Sequence, residues 1–157
     1  MPAMNVTRRM LYGALAGAAG TCALDIVTYL DMLARNRPPS ELPQRMARVF
    51  ASKLGFEQIE KNRLTALGAL LGYADGIGTG VLFGIMRPAA PGISETICGV
   101  GLCVMTGLVS EGTATLLKQT DPREWSVADW AGDIVPRMVY GLVTTIAFDA
   151  LAGGAAE

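Results

Sequence analysis

The sequence predicts an all-α membrane protein, a bundle of four transmembrane helices with a short amphipathic helix between the first two. One observation is a set of four apolar segments, each near the roughly 20 residues that a helix needs to cross a bilayer: 11–33, 64–86, 93–117 and 134–152. Another is that charged residues make up only 17% of the chain and cluster between those segments. A soluble bundle would need charges repeating every three or four residues along each helix, and the segments lack them.

The composition indicates a single membrane domain over residues 1–157 and argues against several functional classes. A net charge of −1 gives no reason to expect a nucleic-acid partner. The chain has no histidine, the commonest general base and metal ligand at neutral pH. Its three cysteines, Cys22, Cys98 and Cys103, form no CxxC pair. We therefore expect no catalytic residues, no metal, no cofactor and no enzymatic activity.

Basic residues suggest how the helices are oriented. Arg8 and Arg9 are also typical of a signal peptide, but three more apolar segments follow, so the first is interpreted as a retained helix. Three cations lie on one side of the predicted bundle: Arg8, Arg9 and Arg87. Nine lie on the other: Arg35, Arg37, Arg45, Arg48, Lys53, Lys61, Arg63, Lys118 and Arg123. The excess predicts cytoplasmic connecting loops and external termini, although the Arg8–Arg9 pair favours the opposite orientation.

The polar stretch after the first segment predicts a separate short helix. Pro38 and Pro39 end the first helix, and Ser40 is a plausible N-cap for a helix over residues 41–55. One face of this helix is apolar and the other basic: Leu42, Met46, Val49, Phe50 and Leu54 against Arg45, Arg48 and Lys53. Such a helix either lies on the membrane surface or packs against the end of the bundle.

Turn and capping residues separate the last two segments. Residues 120–122 (Thr-Asp-Pro) predict a turn, and residues 126–129 (Ser-Val-Ala-Asp) are spaced as a capping box. Beside them, Trp125 and Trp130 are predicted interfacial anchors at the boundary between water and lipid. Pro136 fits the first turn of the fourth helix.

Glycines spaced by four residues predict close contacts between helices. The second segment carries five of them: Gly68, Gly72, Gly76, Gly80 and Gly84. The first segment has Gly13 and Gly17 at the same spacing. Residues four apart stack along one helix face, and small residues let membrane helices approach closely. We therefore expect helix packing, within one chain or between chains, and expect Gly72→Leu to disrupt assembly.

Charged side chains at membrane depth cost at least about 2.5–3.5 kcal/mol each, and the residues predicted to lie there are Asp25, Asp31, Asp75, Glu111, Arg137 and Asp149. Counting the helical rise places Asp75 at the centre of its segment and Asp25 within about 5 Å of that level. Both flank small-residue strips, which predicts that they face the interior. Glu111 and Arg137 differ in depth by only about 2–3 Å. They are predicted to form a buried ion pair, with Asp31 or Asp25 as competing partners of the arginine.

Several stretches carry a resemblance to known proteins. They include residues 13–21, Val-Thr-Tyr-Leu-Asp-Met at 27–32, Leu-Gly-Tyr at 71–73 and most of 120–136. These resemble a family of actinobacterial four-helix membrane proteins and, more remotely, YagU-like inner-membrane proteins. The resemblance covers most of the chain and implies a bacterial inner-membrane location without established catalytic residues. This chain has Arg137 where many of those relatives have a histidine after Val-Pro.

The sequence leaves two functional hypotheses open. In the first, the intramembrane charges are structural, and the protein is an accessory, assembly or self-associating subunit that acts through glycine-mediated helix packing in the lipid bilayer. Its partner would be another membrane protein or a further copy of itself. In the second, it is a small proton- or cation-linked transporter or channel that uses Asp25 and Asp75, since neighbouring carboxylates can share a proton.

Overall fold

The chain folds into helices joined by short connections. The computed structural model describes residues 4–56, 58–87 and 92–154, and over these ranges it contains five α-helices and no strand. They are α1 (Val6–Arg35), α2 (Leu42–Lys53), α3 (Lys61–Met86), α4 (Glu95–Leu116) and α5 (Val127–Gly154), with a 3-10 turn at Pro122–Glu124. Within the described ranges, all of these except α2 are long and apolar enough to cross a membrane. The predicted all-α architecture, with four long helices and one short helix between the first two, is confirmed.

Capping residues set where the long helices begin. The Asn5 side chain accepts a hydrogen bond from the Thr7 N–H (2.8 Å), so α1 starts ahead of its apolar segment. The Ser94 hydroxyl caps α4 in the same way. At the start of α5 the Asp129 N–H donates to Ser126 Oγ (3.2 Å) and the Ser126 N–H to Asp129 Oδ2 (2.9 Å). The predicted capping box is therefore confirmed.

Pro136 does not lie in the first turn of a helix, and that prediction is wrong. Because the capping box starts α5 at Val127, the proline falls well inside the helix. It lacks an N–H, so the Gly132 carbonyl loses its usual helical partner. The helix nevertheless continues, with the proline side chain buried against its surroundings. The apolar segment 134–152 therefore lacks the first two turns of α5.

The short helix α2 packs against the end of the bundle, which was one of its two predicted placements. Its contact with α3 is made by small residues: Ala47 and Ala51 are buried, and the Pro43 backbone approaches Gly68. The large apolar residues named in the prediction are only partly covered, and Phe50 and Leu54 remain exposed. Glu41 rather than Ser40 is the N-cap residue, although the Ser40 hydroxyl still accepts the Leu42 N–H (3.2 Å).

The long helices are arranged in the order α3, α1, α5, α4. Helix α1 packs closely against both α3 and α5, and α4 packs against α5. Neighbours in this order run antiparallel, as successive contacts show: Gly13–Gly80 and Gly17–Gly76 for α1 and α3, Gly20–Thr144 and Arg35–Ala128 for α1 and α5, and Gly99–Gly141 and Cys103–Ile134 for α4 and α5. Large side chains of α5 also reach α3: the Tyr140 hydroxyl donates to the Gly76 carbonyl (2.7 Å).

The consecutive helices α3 and α4 are not among the closely packed pairs of the described chain. They occupy the two ends of the helix order, and side chains of α5 contact both. This leaves an opening between them, which we call the α3/α4 groove. Tyr140 of α5 lies at its base, since its hydroxyl donates to the Gly76 carbonyl of α3, and Arg137 of α5 binds Glu111 of α4 beside it.

Candidate functional site: intramembrane charges and glycine contacts

Four of the five regularly spaced glycines of α3 make close contacts inside the chain. A Cβ atom at Gly80 would lie 2.6 Å from the Cα of Gly17, and one at Gly84 would lie 2.9 Å from the Cα of Gly13. A Cβ at Gly68 would lie 2.8 Å from the Pro43 carbonyl oxygen of α2, and Gly76 faces the Thr21 hydroxyl of α1. These distances leave no room for a side chain, so the glycines let α1 and α2 approach the α3 backbone.

Gly72 differs from the other members of this series. A Cβ there would meet nothing within 4 Å, and the residue is exposed. The expectation that Gly72→Leu would disrupt packing is therefore wrong for contacts within the chain. The physical reason is that α2 covers one end of α3 and α1 the other, while the face at Gly72 stays open. Gly78 is open in the same way.

Glu111 and Arg137 form the ion pair that depth counting predicted. Arg137 Nη2 lies 2.6 Å from Glu111 Oε1, and both side chains are largely buried, with 15% and 13% of their surface exposed. The pair joins α4 to α5. The second carboxylate oxygen of Glu111, Oε2, is buried without a hydrogen-bond partner in the described part of the chain. The prediction is confirmed, and neither Asp25 nor Asp31 competes for the arginine.

Asp133 is a partner of Arg137 that was missed from the sequence. Its Oδ2 lies 2.7 Å from Arg137 Nη1, one turn earlier on the same helix. The spacing of four residues on one helix was a usable signal, but Asp133 fell just outside the segment taken as the membrane span. Arg137 is thus held between two carboxylates, one on each helix.

Among the predicted intramembrane acids, Asp75 has the fewest interactions with the described chain. It lies near the middle of α3, is exposed, and has no hydrogen bond or ion pair with any described residue. Its predicted interior position is therefore wrong. Helix rotation explains the error, because the glycines that face α1 lie on a different side of α3. The Arg137 charge acts on Asp75 across the groove without contacting it.

Asp25 lies on the other side of α3 from Asp75. Its Oδ2 accepts a hydrogen bond from the Tyr73 hydroxyl (2.9 Å). Tyr73 and Asp75 are two residues apart, which places them about 200° apart around the helix axis. The structure therefore does not bring Asp25 and Asp75 together.

The remaining two acids lie near the helix ends and are paired. Asp31 Oδ2 contacts Arg35 on its own helix and lies 2.6 Å from Arg37 Nε. Asp149 of α5 binds Arg87 at the end of α3 through two hydrogen bonds, 2.7 and 3.1 Å long. This contact raises the pKa of the Arg87 guanidinium. From the sequence, Arg35, Arg37 and Arg87 are loop charges, because they lie outside the apolar segments that contain Asp31 and Asp149.

The two tryptophans lie together at the start of α5. Their ring centroids are 5.1 Å apart, and Trp125 Nε1 donates to the Thr120 hydroxyl (3.0 Å). Trp130 remains 41% exposed. This placement, at the end of a long apolar helix, agrees with the predicted interfacial role.

The arrangement offers helix contacts and charge pairs rather than a ligand shell. Over residues 4–56, 58–87 and 92–154, no three His, Cys, Asp or Glu side chains converge to hold a metal ion. The three cysteines are unpaired thiols, of which Cys103 is buried. Together the long apolar helices, the glycine contacts and the paired charges define a multi-pass helical membrane protein. Neither family models, nor curated proteins, nor solved structures gave a match to the chain.

Proposed function

We propose that the protein is an assembly subunit, whose α3/α4 groove binds a transmembrane helix of another membrane protein. The observation that carries this proposal is Asp75: exposed, near mid-helix, and without a hydrogen bond or ion pair among the described residues. A carboxylate facing lipid costs at least about 2.5–3.5 kcal/mol. A partner helix that covers Asp75 and donates a hydrogen bond to it would remove this cost. On the resemblance described above, the membrane would be a bacterial inner membrane.

The surroundings of Asp75 support a close helix contact. Gly72 and Gly78 lie three residues before and after it, so all three share one side of α3. A Cβ at either glycine would meet nothing within 4 Å. The other regularly spaced glycines of α3 contact α1 or α2, whereas Gly72 and Gly78 leave the α3 backbone open to another helix. Leu82, one further turn along, is 56% exposed and extends the same surface.

The charge of this surface favours a different protein over a second copy. Two copies related by a twofold axis through this face would place each Asp75 against the other. Neighbouring carboxylates cannot both remain ionised at low cost. A partner helix with a basic, hydroxyl or amide side chain at mid-membrane depth satisfies Asp75 directly.

Cross-linking in intact membranes tests the proposal. Leu82→Cys, in a chain whose native cysteines are replaced by alanine, should cross-link to a membrane protein that mass spectrometry can identify. Leu70→Cys is the matched control, since Leu70 is 68% exposed on another side of α3. Adding Asp75→Leu or Gly72→Leu should abolish the Leu82→Cys product while the protein remains folded. Cross-links between copies of this chain would show self-association in place of a different partner. If Leu82→Cys gives no specific cross-link, assembly through this groove is refuted.

A second function, proton or cation transport, is favoured by one observation. The buried Glu111 Oε2 has no hydrogen-bond partner in the described chain, and it belongs to the Arg137 cluster beside the groove that holds Asp75. A route would then pass through Asp75 and Glu111, in place of the Asp25–Asp75 route expected from the sequence. Proteoliposomes should show flux driven by a pH or cation gradient that Asp75→Asn and Glu111→Gln abolish and Asp25→Asn leaves intact. Absence of flux in tight vesicles containing folded protein would exclude this alternative.

A further inference from the structure

A cleft of about 920 Å³ opens between α2 and the segment that joins α4 to α5. Its lining includes three cations, Arg45 from α2 and Lys118 and Arg123 from the connecting segment, together with Trp125. Arg45 spans the cleft, since its Nη1 donates to the Gln119 carbonyl (3.1 Å). A smaller cavity of about 190 Å³ shares Arg45 and adds Arg48 and Lys61.

The charge around the two cavities is positive overall. The acids that line them are Asp121 and Glu124 in the cleft and Glu41 in the smaller cavity. Asp121 is engaged locally, because its Oδ1 accepts the Arg123 N–H (3.0 Å). Glu41 lies 3.5 Å from Arg45. The other four lining cations have no ion pair within the described chain: Arg48, Lys61, Lys118 and Arg123. The five lining cations outnumber the three lining acids, so the two cavities together present a net positive charge to an external anion.

The cleft lies at one end of the bundle, where a helix that crosses a membrane meets the lipid headgroups. It opens just beyond the end of α4, a helix long enough to span the membrane. Trp125 lines it and lies beside Trp130, and tryptophan is enriched at the membrane–water interface. Outside the cleft, α2 and its C-cap residue expose Phe50 and Leu54 in addition to the basic residues, as interfacial helices do.

We propose that this cleft binds the phosphate group of an anionic phospholipid. Basic pockets at the ends of transmembrane helices bind anionic headgroups through their phosphates. Arg45, Lys118 and Arg123 would bind the phosphate oxygens. The acyl chains would lie along α4, which exposes Leu108 and Leu116 below the cleft (71% and 85% exposed). This site does not depend on the assembly function, because it lies at the end of the bundle and uses none of the groove residues.

Native mass spectrometry of the full-length protein tests the site. Protein in detergent is mixed with phosphatidylglycerol, with phosphatidylcholine, or with inorganic phosphate alone. Phosphatidylglycerol should bind in preference to the other two. Lys118→Gln and Arg123→Gln should each weaken its binding about fivefold, the factor that corresponds to about 1 kcal/mol. Lys53→Gln and Arg63→Gln are matched controls, since neither side chain lines the cavities, and both should leave binding unchanged.

Three outcomes would overturn the proposal. Equal binding of phosphatidylglycerol and phosphatidylcholine would show that the headgroup charge is not recognised. Equal losses in the cleft variants and the controls would show only a general attraction of basic residues. Binding of inorganic phosphate that is sensitive to the cleft variants, without preference for the lipid, would identify a soluble anion as the ligand. Circular dichroism of each variant confirms that the helices are intact before binding is compared.

Discussion

Glu111 on α4 and Arg137 on α5 lie 2.6 Å apart, with Asp133 bound to the same guanidinium. The pair links α4 to α5, the only helix against which α4 packs closely in the described chain. Near the opposite end of α4, Gly99 and Gly141 bring the two backbones together. The position of α4 thus depends on a charge contact at one level and a glycine contact at another.

Removing the arginine should destabilise the bundle strongly. Arg137→Gln leaves Glu111 and Asp133 without their cation, and breaking a buried pair costs about 3–5 kcal/mol. Unfolding by a denaturing detergent in mild-detergent micelles measures the change in free energy. Arg63→Gln is the control, an exposed cation without an ion pair in the described chain. The double variant Glu111→Gln/Arg137→Gln should recover part of the loss, and equal losses for Arg137→Gln and Arg63→Gln would contradict a structural pair.

Adding one methyl group at Gly80 should separate α1 from α3. The new Cβ would lie 2.6 Å from the Cα of Gly17, so Gly80→Ala should cost about 1–3 kcal/mol through forced backbone movement. Gly101→Ala, where a Cβ meets nothing within 4 Å, is the matched control and should be nearly neutral. The same unfolding measurement compares the two. Similar stability for both variants would show that α1 and α3 do not approach as closely as described.

Asp75→Leu should leave the isolated protein as stable as the parent, or more stable by up to about 2 kcal/mol, because it removes an unpaired acid from an apolar environment. Asp149→Leu should act in the opposite direction, since it removes an ion-pair partner of Arg87. Unfolding of both purified variants in the same detergent provides the comparison. A marked loss of stability in Asp75→Leu would mean that Asp75 serves the fold of the single chain.

Ser126→Ala should loosen the first turn of α5. The Ser126 hydroxyl accepts the Asp129 N–H, and loss of such a cap costs about 1 kcal/mol. Hydrogen–deuterium exchange should rise at residues 128–131 and stay unchanged around Arg137. Ser52→Ala, on the exposed side of α2, tests whether any surface serine has the same effect. Unchanged exchange in Ser126→Ala would indicate that the tryptophan pair, not the cap, holds this turn.

The sequence predicted the helices and one ion pair because both follow from counting along the chain. Apolar segment length locates a transmembrane helix, and the helical rise gives the depth of Glu111 and Arg137. Rotation about the helix axis follows from neither quantity. The prediction that Asp75 faces the interior is wrong because it needed this rotation. A strip of glycines indicates that a neighbouring helix is close, but it does not indicate whether that helix covers an acid beside the strip.

The order of the helices in space also could not be predicted from local sequence patterns. Nothing near Gly72 distinguishes it from Gly76 or Gly80, yet α1 covers only the latter two. The contact of Arg87 with Asp149 likewise needs the end of α3 to meet the end of α5, two helices far apart in sequence. These relationships depend on which helices become neighbours, and that is decided by the packing of the whole bundle.

The position of α1 between α3 and α5 has a consequence for biosynthesis. Ribosomes make the chain from its amino end, so α1 enters the bilayer before either of the helices that flank it exists. Its glycine faces have no helix of the bundle to pack against until α3 has been made for one side and α5 for the other. The native core therefore closes only after α5 has been made, and α1 has to remain accessible to both later helices until then.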